Sequence, residues 1–78
     1  MNDIDKGWKE ALEREVLRLL SEESLSVREE IHDRVDEIIL RSTLQVTGGN
    51  ISQASCRLGI SRPTLRNRLR QLGIRMPK

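Results

Sequence analysis

The chain has 78 residues, one aromatic side chain (Trp8) and a single cysteine (Cys56), and its formal net charge is +2. At that length one small core and a single compact domain are expected, one cysteine excludes an intramolecular disulfide, and no apolar run approaches the roughly 20 residues that cross a bilayer. The net charge conceals an asymmetry: 6 basic residues against 12 acidic ones up to Glu37 give −6, and after it Arg41, Arg57, Arg62, Arg66, Arg68, Arg70, Arg75 and Lys78 stand against no acid, giving +8. A basic half without internal acids leaves its cations free to meet a polyanion, while the acidic half would repel one. The absence of a signal-peptide pattern adds the expectation of a soluble, cytoplasmic protein.

Apolar periodicity predicts an all-α fold of four helices. The first runs from about Trp8 to Leu20, with Trp8, Leu12, Val16, Leu19 and Leu20 on one side. The serines of "SEESLS" break it, and Ser26 followed by Glu29 reads as a capping box for a long second helix. Its stripe is Val27, Ile31, Val35, Ile38 and Ile39, continued by Ser42 and Leu44 toward Val46, and its acids cluster in the first turns, where they suit the helix dipole. Gly48 and Gly49 end it.

Asn50 caps a short third helix, with Gln53 expected to return the bond and Ile51, Ala54, Ser55 and Leu58 facing inward. Gly59 stops that helix after about two turns. Ser61 is the next cap, Pro63 sits where its missing N–H costs little, and Leu65, Leu69 and Leu72 line the inner side of the fourth helix up to a Gly73–Ile74 stop. The last residues carry no pattern.

Helix, tight glycine turn and helix is the plan of the helix-turn-helix, whose second helix enters the DNA major groove. Ser55 is small enough for the two helices to cross closely, and Leu58, Ile60, Leu65 and Leu69 fill the angle between them. With the leucines inward, Arg66, Asn67 and Arg70 occupy the opposite arc, flanked by Thr64 and Gln71, with Arg62 at the N-terminal end. Arg pairs bidentately with guanine, Asn and Gln with adenine, and Thr bonds phosphate or touches the thymine methyl group. Asn50 and Ser52, beside the N-terminus of the third helix, are phosphate donors in this reading. Arg57 and Arg68 lie toward the flanks as phosphate clamps or solvated cations, and Arg75 and Lys78 add nonspecific attraction.

The stretch "TGGNISQASCRLGISRPTLRNRLRQLGI" resembles the helix-turn-helix shared by the Fis protein and the C-terminal domains of NtrC-type, sigma-54-dependent activators, commonly T-x-G-N-x-x-x-A-A-x-x-L-G-I-x-R-x-T-L-x-x-K-L. The match runs from Thr47 to Ile74; Ser55 replaces the second Ala, and Cys56 and Arg57 depart from the usual residues. The resemblance implies that Asn50 and Ser52 hold phosphates and that Ser61, Arg62, Thr64, Arg66, Asn67 and Arg70 face the groove. It also implies a homodimer on a palindromic, bent DNA site, with Trp8, Leu12, Val16, Val27, Ile31, Val35 and Ile38 at the subunit interface. The whole chain is then one domain, residues 1–78, with dimerisation helices over 8–46 and the helix-turn-helix over 50–73, bacterial and nucleoid-associated.

"GWKEALEREVLRLL" resembles the NtrC C-terminal domain more than free-standing Fis, whose N-terminal arm has no counterpart here. A central ATPase domain does not fit in the chain, so the expectation is an isolated enhancer-binding module of such an activator. The alternatives are a free-standing DNA-bending protein and a dimerisation or protein-interaction module that no longer binds DNA. His32 beside Asp33 and Asp36 lacks the second His or Cys of a metal site, and Cys56 has no base partner. With no nucleophile–base pair and no phosphate loop, neither an enzyme, a cofactor, a small-molecule substrate nor a membrane partner is expected.

Overall fold

The structure is a computed structural model that describes residues 3–75, with side chains from residue 7 onward; Lys78 lies outside the described residues. Four helices follow one another: α1 Asp3–Ser21, α2 Val27–Val46, α3 Ile51–Leu58 and α4 Arg62–Leu72. The all-α expectation and its four elements are borne out. Helix α1 begins five residues before Trp8, the first residue of the expected stripe. No helix among the described residues is long and apolar enough to cross a membrane.

The chain divides into two compact units, one ending at His32 and the other beginning at Asp33, within α2. In the first unit Leu19 and Ile31 are buried, Leu12, Val16 and Val27 are half-buried, and Trp8, Leu17 and Leu20 are exposed. Arg18 pairs with Glu15 and, at 2.8 Å, with Glu22, and these partners raise its pKa. Helix α1 closes with the Ser24 N–H donating to the Leu19 carbonyl and the Glu23 N–H to that of Leu20, both at 3.2 Å. This closure places Glu23 at φ +59°, left-handed space where a β-carbon is strained.

The expected capping box of Ser26 and Glu29 does not form. Glu30 engages the serines instead: its Oε1 accepts the Ser26 hydroxyl at 3.0 Å and the Ser24 hydroxyl at 3.2 Å, while the Ser26 N–H donates to Ser24 Oγ at 3.3 Å. Glu30 lies one full turn beyond Ser26 and so stacks on it, and its own N–H donates to the Ser26 carbonyl at 2.9 Å.

The second unit is built on Leu40, Leu44, Ala54, Leu65, Leu69 and Ile74, with Ile51, Leu58, Ile60 and Leu72 packed around them. Leu44 does not continue the stripe of Val35 and Ile38, as its spacing had suggested. It lies with Leu40 in the core, each 2% exposed, whereas Ile38 is 67% and Val46 77% exposed. At about 100° per residue, six positions carry Leu44 some 240° round the helix from Ile38, while Leu40 is one turn from it. Helix α2 therefore has two working rows: Asp33, Asp36, Leu40 and Leu44 turned to the second unit's interior, and Val35, Ile38, Ile39 and Val46 turned away from it.

The joints are fixed by caps. Gly49 donates to the Leu44 carbonyl at 2.9 Å and closes α2. Asn50 Oδ1 accepts the Gln53 N–H at 3.0 Å, but the expected return bond is replaced, because the Asn50 N–H donates to the Thr47 carbonyl at 3.2 Å. Gly59 has φ +74°, with its N–H on Cys56 and that of Ile60 on Ser55 at 3.1 Å. A β-carbon there would meet nothing within 4 Å, so the backbone conformation and not crowding calls for glycine. Ser61 caps α4 by accepting the Thr64 N–H at 3.2 Å, and the Ile74 N–H returns to the Leu69 carbonyl at 2.9 Å, which seats Ile74 in the core.

Candidate nucleic-acid interface

The α3–α4 corner can be tight because its contact residues are small or apolar. Ala54 and Leu65 are wholly buried; Ser55, 6% exposed, is the sole buried polar residue among those described. Its hydroxyl donates to the Ser52 carbonyl at 3.1 Å, so burial leaves no polar atom unsatisfied. This seat fixes which way α4 faces. With Leu65 and Leu69 inward, Arg66, Asn67 and Arg70 point to solvent, as do Asn50, Ser52, Ser61, Arg62 and Thr64.

Several of these side chains meet one another. Arg62 Nη1 donates to Ser52 Oγ at 3.3 Å, joining the leading ends of α3 and α4. Arg70 donates to Asn67 Oδ1 at 3.2 Å, and Ser61 donates to Thr64 Oγ1 at 2.8 Å. Arg66 has no ion pair among the described residues, and neither do Arg62 and Arg70. The result is an exposed surface of three unneutralised guanidiniums and short polar side chains on one α-helix, whose diameter of about 10–12 Å with side chains suits a major groove about 12 Å wide.

Arg68 departs from expectation. It is neither solvated nor free for phosphate: one terminal nitrogen meets Asp33 Oδ1 at 2.7 Å, its Nε meets Asp36 Oδ2, and a third nitrogen donates to Gln71 Oε1 at 3.3 Å. Asp33 and then Asp36 raise its pKa, against a smaller loss from burial. The cation thus joins α4 to the inner row of α2 and engages Gln71. Arg41 is likewise occupied, by Glu37 at 2.9 Å. Sequence reasoning missed the Arg68 pair and Leu40. The signal was present, since Asp33 and Asp36 lie three residues apart on the row that Leu40 and Leu44 continue, and position 68 borders the inward leucines.

Asp33 and Asp36 being taken, His32 stands exposed, and no group of His, Cys, Asp or Glu among the described residues is placed to hold a metal. Cys56 is exposed on α3, away from its inner face.

The sequence matches the family described as "Bacterial regulatory protein, Fis family" over residues 33–72. No curated protein and no solved structure gives a significant match. The family segment starts at the residue where the second compact unit starts and ends at the last residue of α4. It spans the acids that grip Arg68, the buried leucines, the capped corner and the cationic outer face. The chain belongs to the Fis family of bacterial regulatory proteins, and this unit is its DNA-binding regulatory helix-turn-helix domain.

Proposed function

We propose that the protein acts as a homodimer on a palindromic DNA site, as the enhancer-binding module of a bacterial sigma-54-dependent, NtrC-like activator. The observation that carries the dimer is the row Val35, Ile38, Ile39 and Val46, exposed on α2 opposite the buried Leu40 and Leu44. A helix that buries one apolar row and leaves another in water has a second surface to cover, and a two-fold axis lets identical rows cover each other. In the same reading Trp8, Leu12, Val16 and Val27 of the first unit also meet the partner subunit; Ile31, already buried within the chain, contributes less. The 78 residues then form one functional domain, with residues 8–46 pairing the subunits and residues 50–73 presenting α4.

In this reading Asn50 and Ser52 hold phosphates at the leading end of α3, and Ser61, Arg62, Thr64, Arg66, Asn67 and Arg70 address the groove. Arg62 and Arg66 read bases, the two half-sites share a symmetry axis, and the duplex bends to reach both recognition helices. The activator role is supported by the likeness of "GWKEALEREVLRLL" to the NtrC C-terminal domain. A central ATPase domain encoded upstream in the same frame would support it, and an isolated frame would favour a free-standing DNA-bending protein.

A gel-retardation titration over a range of salt tests the DNA surface. Log affinity should fall against log salt with a slope of roughly −4 to −8. Substituting Arg62 and Arg66 together by Ala should abolish retardation while sedimentation still reports a dimer. A flat slope, or retardation that survives the double substitution, would overturn the assignment of this face.

A further inference from the structure

We propose that Arg68 is a positioning residue for recognition: with Asp33 and Asp36 it forms a clamp that fixes the rotation of α4 about its own axis relative to α2. This rests on α4 being the groove-facing helix, but not on the dimer.

Burial of Leu65 and Leu69 decides which side of α4 faces inward, but apolar contacts have little directionality, so the exact roll within that orientation is left to directional contacts. On the flank where Arg68 emerges, packing is open: a hollow of about 300 Å³ lies between α2 and α4. Asp36 and Arg68 border that hollow, and so do Thr64 and Asn67 from the groove-facing set. What spans the gap is directional. Two different nitrogens of one planar guanidinium meet carboxylates on successive turns of α2, with Arg68 only 28% exposed. A fork held at two points resists rotation as a single contact cannot, and an ammonium could not reproduce it.

Position 68 follows Asn67 and precedes Arg70 by two residues, so a roll of α4 at the clamp moves those side chains across the groove. Base readout needs donor and acceptor atoms placed within a fraction of an ångström, whereas phosphate attraction tolerates such a shift. The clamp should therefore affect discrimination between sequences more than affinity as such.

The test compares affinity for a single half-site duplex, chosen by selection from random duplexes, with affinity for a scrambled duplex of the same composition. The native protein is set beside Arg68→Met, Arg68→Lys and the double variant Asp33→Asn/Asp36→Asn, with circular dichroism confirming helix content. The charge changes are opposite in sign, one lost in Arg68→Met and two gained in the double variant. Charge alone would therefore weaken all binding in the first and strengthen it in the second, with the preferred-to-scrambled ratio unchanged.

The clamp requires that ratio to fall about tenfold or more in both, and Arg68→Lys not to restore it. A ratio that holds in either variant, or a full ratio in Arg68→Lys, would overturn the proposal. If Arg68→Met does not fold, the isosteric double variant decides alone. A native protein that sediments as a monomer would end the dimer reading and leave this measurement intact, since it concerns one helix on one half-site.

Discussion

Replacing Ile38 by Asp tests the outer row of α2 at its most informative point. Complete burial of an isoleucine side chain contributes about 1.5–3 kcal/mol. Ile38 is 67% exposed in the single chain, so roughly two thirds of that, about 1–2 kcal/mol, remains to be gained by covering it. A two-fold axis presents the residue twice, which makes about 2–4 kcal/mol per dimer, or a loosening of the dimer constant by roughly 30- to 700-fold. Facing carboxylates add repulsion, so this is a lower range. Sedimentation equilibrium over a concentration series reads the constant, and circular dichroism melting under monomeric conditions checks that the fold persists. An unchanged dimer constant in a folded variant would refute the placement of Ile38 at a subunit interface.

Substitutions at three further positions probe separate parts of the chain. Arg66→Ala, at an exposed position without an ion pair among the described residues, should leave melting within about 0.5 kcal/mol of native and weaken preferred DNA by about 1–3 kcal/mol, relaxing specificity at particular bases in a binding-site selection. Equal weakening of all sequences would make it a phosphate contact. Leu40→Ala should cost about 2–5 kcal/mol in denaturant unfolding, because its side chain is wholly enclosed beneath the helix-turn-helix. Glu23→Gly should stabilise by about 1 kcal/mol in thermal melting by removing the strain at φ +59°, and Glu23→Ala, which keeps the β-carbon, should not.

Much of this architecture is legible in the residues, for reasons that differ along the chain. Asn50, Gly59, Ser61, Pro63 and Gly73 each have a local backbone consequence, so the limits of α3 and α4 follow from the sequence within a residue. The outward turn of Arg66, Asn67 and Arg70 follows from the inward spacing of Leu65 and Leu69. Where two answers satisfy the same local chemistry, reading fails: both Glu29 and Glu30 could answer Ser26, and only the observed turn decides for Glu30. Leu44 was misplaced because α2 carries two apolar rows and periodicity alone blends them.

Arg68 illustrates the remaining gap. Its partners lie 32 and 35 residues away, and only the fold brings them within reach. The charge asymmetry that suggested freely available cations is thus partly internal, since Arg68 and Arg41 are neutralised by acids of α2. Among the described residues after Glu37, the cations without an ion pair are Arg57, Arg62, Arg66, Arg70 and Arg75, and three of these five lie on α4, which sharpens the basic surface there.

Selection of bound sequences from random duplexes tests the central claim most directly. Paired α4 faces carrying Arg62, Arg66 and Arg70 should enrich a palindrome whose half-sites keep one fixed spacing, and Arg66→Ala should blur the same base in each half. Enrichment of no sequence, or of a lone half-site without a partner at constant distance, would contradict a symmetric reader of DNA.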